Sequence, residues 1–174
     1  MRYDLKKEIL DWVKSIAIAL LIALVIRNYV FEPMIVPTGS MIPTIQIGDR
    51  IFVNKYIYRF QPIERGDIVV FKYPDDPKQT FVKRVIGIGG DIIEIKDGQL
   101  YLNGDVVEEP YLKEPMIGDF GPYEVPEGNY FVMGDNRNNS KDSRFWENMY
   151  VPKKLILGKA VYRIWPPDRI GKLE

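Results

Sequence analysis

Histidine and cysteine are both absent from this chain of 174 residues. Without an imidazole, a serine hydrolase of the Ser-His-Asp kind is excluded. Without a thiol, so are a catalytic cysteine, a thiolate zinc site and a disulfide framework. The commonest metal ligand is missing as well. No loop resembles a calcium-binding EF-hand, so neither a metal nor a cofactor is expected. Excess charge of one sign is also lacking. The 24 Lys+Arg balance the 24 Asp+Glu, which leaves no basic field to attract nucleic acid. The length suits one domain with a small appendage.

One apolar run stands out near the N-terminus. Residues 13–31 read VKSIAIALLIALVIRNYVF, 19 in all, interrupted by Lys14, Arg27 and Asn28. Spanning a bilayer takes roughly 20 apolar residues. A cleaved signal peptide would need a small-x-small site after the run, and Arg27-Asn28-Tyr29 does not supply one. A buried helix would be amphipathic, whereas residues 16–26 are apolar all round. Lys14 and Arg27 sit near the ends, and Trp12, Tyr29 and Phe31 suit interfacial belts. The expectation is one transmembrane anchor helix over residues 12–31. Residues 1–11, with Arg2, Lys6 and Lys7, form a cytoplasmic tail, and residues 32–174 form a domain outside the cell membrane.

That domain reads as mainly β. Strands are expected over residues 50–58, 67–73, 80–88, 129–133 and 159–165, from alternating or β-branched runs ended by Gly or Pro. Asp97-Gly98 and Asn103-Gly104 separate three short apolar runs within residues 91–107. Both pairs favour type I′ turns, so this segment is a three-stranded meander. Residues 108–128 are rich in Pro and Gly and read as a long loop. Such spacing predicts an antiparallel β-sheet fold of sandwich or barrel type.

Three segments carry candidate chemistry. In PTGSMIPT, Pro37 and Pro43 stiffen the chain around Ser40, and Gly39 permits an uncommon turn. An ordinary surface turn would read the same way. In FVKRVIGIGGD, Lys83 shares a strand face with Phe81 and Val85, which would desolvate it, while Arg84 points to the other face. A solvated strand lysine is the plain alternative. GDNRNNSKDSRFW, residues 134–146, is dense enough in polar groups for a buried hydrogen-bond network, or for a solvated loop. With no imidazole present, a nucleophilic Ser40 needs another base. A lysine serves only if burial lowers its pKa.

Taken together and in this order, PTGSMIPTIQIGDRIFVNK, RGDIVVFKYP, FVKRVIGIGGD and GDNRNNSKDSRFW resemble bacterial type I signal peptidases. These are membrane-bound serine peptidases with a Ser-Lys dyad. The resemblance implies that Ser40 is the nucleophile and Lys83 the general base. It implies an oxyanion hole from the Thr38 hydroxyl and the Ser40 backbone N–H. It implies that Ser140 hydrogen-bonds and orients the lysine, and that Asp142 with Arg144, and Asp135 with Arg84, form supporting ion pairs. Met34, Val36, Met41, Ile45, Phe81 and Val82 match pocket positions that admit only small side chains at −1 and −3 of a signal peptide. The implied partners are signal-peptide-bearing precursors and membrane lipid, with the enzyme a monomer. After Phe145-Trp146 the family commonly has Gly, whereas this chain continues Glu147-Asn148-Met149.

Two other readings share these features. A self-cleaving repressor-type regulator would use the same dyad but would carry a DNA-binding module. A membrane-anchored β binding module without activity would make Ser40 and Lys83 dispensable.

Overall fold

The computed structural model describes residues 5–25 and 31–174. It opens with helix α1, Leu5–Val25. The expected anchor over residues 12–31 is therefore helical to residue 25. Its part over residues 26–30 lies outside the described residues, as do residues 1–4 of the expected tail, and Phe31 opens a strand instead of closing the helix. Lys6, Lys7, Glu8, Asp11 and Lys14 all fall within α1. Among the described residues, no helix is long and apolar enough to cross a membrane. Residues 6–24 are nevertheless exposed along their whole length, apolar side chains included.

The rest is antiparallel β-structure, as the alternation implies. The strands are β1 (Phe31–Ile35), β2 (Arg50–Asn54), β3 (Ile68–Tyr73), β4 (Asp76–Ile88), β5 (Ile92–Lys96) and β6 (Gln99–Leu102). They continue with β7 (Asp105–Val107), β8 (Phe120–Glu124), β9 (Asn129–Met133), β10 (Val151–Pro152), β11 (Ile156–Trp165) and β12 (Gly171–Lys172). The larger sheet runs β1-β2-β11-β3-β4-β9-β10, with β12 added to β11, and the smaller runs β7-β6-β5-β8. The meander β5-β6-β7 turns at Asp97-Gly98 and Asn103-Gly104. All four of those residues have positive φ, as type I′ turns require.

Several boundaries differ from the sequence expectation, each for a visible reason. The first strand ends at Asn54 rather than at residue 58. There the Asn54 Oδ1 accepts the N–H groups of Tyr56 (3.0 Å) and Ile57 (3.1 Å), which turns the chain into a 3-10 segment at Ile57–Arg59. The expected strand 80–88 begins earlier, at Asp76, because it continues into a tight hairpin with β3. The last long strand likewise begins at Ile156 instead of 159. The expected loop 108–128 contains β8, which pairs with β5. Its Gly121 marks close packing, because a Cβ there would lie 2.3 Å from the Ile93 carbonyl oxygen. Glycine thus fits where any side chain would collide with a neighbouring strand.

Three apolar clusters fill the interior. Val36, Met41, Ile45, Ile51, Val53, Val70 and Val82 pack under one end of the large sheet. Val69, Phe71, Tyr73, Val85, Val132 and Trp146 form the second cluster. The third joins the two sheets, setting Ile93, Ile95 and Leu100 against Ile86, Phe131 and Met133. Consequently residues 82–87 of β4 are buried, and Lys83 arises from that part of the strand.

Candidate active site

Three segments converge on Lys83. Strand β4 carries it, opposite Val69 of β3. The turn after β1 carries Ser40, and the polar loop after β9 closes over both. The Lys83 Nζ lies 2.6 Å from the Ser40 Oγ and also donates to the Val82 carbonyl at 3.2 Å. Lys83 is only 4% exposed. Burial pushes its amine down from 10.5 to about 8, against the opposing pull of the Asp142 and Asp135 carboxylates. A buried amine of this kind is substantially neutral in mildly alkaline water. Its lone pair can then accept the Ser40 hydroxyl proton across the contact already present.

The carboxylates that pull on Lys83 are themselves neutralised. Asp135 takes Arg84 in a two-pronged pair, with Nε to Oδ1 at 2.8 Å and Nη2 to Oδ2 at 2.7 Å. Asp142 takes Arg144 in the same way, at 2.8 and 2.9 Å. Such forked contacts fix both partners in angle as well as distance. Arg84 lies on the face of β4 opposite Lys83, as strand alternation implies. It also donates to the Gly66 and Glu174 carbonyls. Asp135 further accepts the Thr44 hydroxyl at 2.5 Å, tying the polar loop to the far end of the Ser40 turn.

Ser140 is placed beside this group, yet its hydroxyl is buried without a hydrogen-bond partner among the described residues. It packs against Gly134, where a Cβ would lie 2.3 Å from both the Ser140 Oγ and the Ser40 carbonyl oxygen. Glycine at 134 is thus a condition for the polar loop to reach the nucleophile turn. Thr38 is exposed at the mouth of the site. Among the described residues the Ser40 backbone N–H takes no partner within the chain, so it is free to donate to a ligand.

A groove of about 620 Å³ runs past Ser40 and Lys83. Of the six residues matched to pocket positions, Met34, Val36, Met41, Phe81 and Val82 line it. Ile45 does not. It is fully buried in the first apolar cluster and does not border the groove. The groove is also bordered by Ile35, Gln79, Thr80, Asn139 and Lys141. Gln79 and Thr80 lie in the part of β4 where the sequence shows no apolar run, which is why it gives no sign of them.

Two edges of sheet border this groove. Among the described residues, strand β1 pairs only with β2, so its other edge has no strand partner there. Strand β9 pairs β4 from Arg84 onward, leaving residues 76–83 without a strand partner on that side among the described residues. Phe81 is held by stacking on Tyr73, with centroids 4.8 Å apart, and by Trp146 behind it. The segment Glu147-Asn148, where a glycine is usual, is capped by Asp75. That carboxylate accepts the N–H groups of Glu147 (3.1 Å) and Asn148 (3.2 Å) and the Asn148 side-chain amide (2.7 Å). The turn therefore has its own support without glycine.

Comparison with known proteins gives the family. The family model described as signal peptidase, peptidase S26, matches residues 9–165. Signal peptidase I of Leptolyngbya laminosa is 41% identical over 172 residues, covering 95% of this chain and 84% of that protein. Signal peptidase I T of Bacillus subtilis (strain 168) is 48% identical over 167 residues, covering 90% and 86% respectively. A crystal structure of a signal peptidase I from Enterococcus faecalis V583 superposes with a TM-score of 0.51 at 34% identity. It covers 57% of this chain and 97% of that one.

Proposed function

Since this chain belongs to the signal peptidase family, peptidase S26, we propose that it cuts signal peptides from precursors with Ser40 as nucleophile and Lys83 as general base. The observation that carries this reading is the 2.6 Å contact between the Ser40 Oγ and a buried Lys83 amine. Neutral Lys83 takes the hydroxyl proton as Oγ attacks the scissile carbonyl carbon. The negative charge that develops on the carbonyl oxygen is met by the Ser40 N–H and the Thr38 hydroxyl. Protonated Lys83 then gives its proton to the departing amine, which leaves as the new N-terminus of the mature protein. Lys83, neutral again, deprotonates a water that attacks the ester and frees Ser40. Ser140, Asp142, Arg144, Asp135 and Arg84 hold this geometry and are not consumed.

The substrate is an extended peptide that joins the free edges of β1 and of residues 76–83 by main-chain hydrogen bonds. Alternate side chains then face Met34, Val36, Met41, Phe81 and Val82, whose bulk leaves room for Ala-sized groups at −1 and −3. Attachment to the cell membrane is through α1. Its apolar residues 16–24 are exposed among the described residues, which is what supports a lipid-facing role. In that arrangement residues 1–11 are cytoplasmic and residues 32–174 form the catalytic domain outside. Alkaline carbonate should leave the full chain in the membrane pellet, and release into the supernatant would contradict α1 as anchor.

The direct test is mass spectrometry of a secretory precursor incubated in detergent with wild type and with Ser40→Ala. One cut after an Ala-x-Ala segment, missing with Ser40→Ala, is expected. Cleavage of the enzyme alone would favour a self-cleaving regulator, and no cleavage at all an inactive binding module. Thr38→Ala should lower kcat by about 10²–10³, the usual loss for one oxyanion donor, while Thr38→Ser should be mild. An alanine variant as fast as wild type would remove Thr38 from the oxyanion hole.

A further inference from the structure

Asn136 touches the nucleophile turn twice, although nothing in its neighbourhood in the sequence marks it out from Asn138 or Asn139. Its backbone N–H donates to the Ser40 carbonyl at 3.0 Å. Its side-chain Nδ2 donates to the Gly39 carbonyl at 3.0 Å, an oxygen that also accepts the Ile42 N–H at 3.2 Å. The two oxygens belong to consecutive peptide groups on either side of the Ser40 Cα. Each peptide group is planar, and in the trans form its C=O and N–H point in opposite directions. The Gly39 carbonyl and the Ser40 N–H share one such plane. A donor that fixes the direction of that carbonyl therefore fixes the direction of the N–H on its other side.

We propose that Asn136 is a positioning residue that aims the Ser40 N–H at the developing oxyanion by holding the Gly39–Ser40 peptide plane. The inference rests on the reading of Ser40 N–H as an oxyanion donor and adds to it the group that orients that donor. Hydrogen bonding at the carbonyl also polarises the amide, which strengthens the N–H as a donor. The contact has little slack. Gly134 lets the polar loop approach until a Cβ would meet the Ser40 carbonyl at 2.3 Å, and Asp135, next to Asn136, is clamped by Arg84. Pre-orientation of this kind matters only once charge appears on the carbonyl oxygen, so its loss should fall on the transition state rather than on binding.

The experiment compares Asn136→Ala and Asn136→Asp with wild type and Ser40→Ala, using a soluble peptide with an Ala-x-Ala cleavage site. Asn136→Ala keeps the backbone bond to Ser40 and loses only the side-chain bond to Gly39. Asn136→Asp keeps the shape but cannot donate while ionised. Both are expected to lower kcat by roughly 10–100-fold, less than the 10²–10³ for outright loss of a donor, with KM within about twofold. Asn136→Ala should keep the pH limb of the wild type, because Lys83 is untouched. Wild-type kcat in either variant would overturn the proposal, as would a loss carried by KM or one that merely tracks a lower melting temperature. If Ser40→Ala is inactive while both Asn136 variants are normal, only the role of Asn136 fails. If Ser40→Ala retains activity, the nucleophile assignment fails and this inference with it.

Discussion

Lys83→Met is expected to lower peptidase activity by about 10⁴-fold, the upper range for loss of a general base, and at the same time to stabilise the fold at neutral pH. The two effects have one cause. Lys83 is 4% exposed, and burial holds its pKa near 8 instead of 10.5. Between those values the unfolded chain binds the proton and the folded chain does not, so stability rises with pH across that window. At pH 7 the folded protein still carries the ammonium, and its desolvation counts in full, on the order of 3 kcal/mol. Methionine has similar length and no charge, so it removes that cost. Thermal melts at pH 7 and near pH 10 should show the variant's advantage at the first and a much smaller one at the second. A variant less stable than wild type at pH 7 would mean that the Asp142 and Asp135 carboxylates outweigh burial.

Asp135→Ala should be the most damaging change to stability, by about 3–5 kcal/mol. It removes both oxygens from Arg84, a guanidinium only 2% exposed. Gly66 and Glu174 carbonyls would still accept from Arg84, but the charge would be left buried without an anion. It also frees the Thr44 hydroxyl, so the Ser40 turn loses one of its tethers. For a chain of this size the loss corresponds to roughly 10 °C in Tm. The control is Lys172→Ala, which breaks an ion pair whose side chains are 72% and 74% exposed. That variant should melt with wild type, because exposed pairs contribute little. Equal shifts in both variants would contradict the assignment of Arg84–Asp135 as a structural pair.

The proposed pair, which the structure sets 2.6 Å apart, stood out in the sequence because the chain offers few options. With no imidazole or thiol, Ser40 needed a lysine or a carboxylate as base, and Lys83 lies on a strand face with Phe81 and Val85. The hairpins were legible because Asp-Gly and Asn-Gly are chosen by a local backbone requirement. The Arg84–Asp135 and Arg144–Asp142 pairs followed from the family resemblance, and the structure brings each pair together. What stayed hidden depends on long-range packing. Strand β8 looks like a loop because Gly121 is there for close approach to Ile93, which composition cannot convey. Ile45 and Met41 are both apolar and four residues apart, yet only Met41 borders the groove, and only the three-dimensional path separates them. Asn136 acts through one carbonyl of a turn almost a hundred residues earlier. The Ser140 hydroxyl, expected to hydrogen-bond Lys83, is buried without that bond among the described residues.

The family comparison and the geometry leave the self-cleaving regulator and the inactive module without a specific observation in their favour. What the account depends on is a neutral lysine beside Ser40. The measurement that tests this most directly is the pH dependence of kcat/KM for a soluble signal-peptide substrate, which reports ionisation in the free enzyme. The rate should rise with pH through a single deprotonation at about 8 and then level off, following the amine of Lys83. A rate that stays flat from about pH 6 to about pH 10, the range across which such an amine should titrate, would contradict a lysine base.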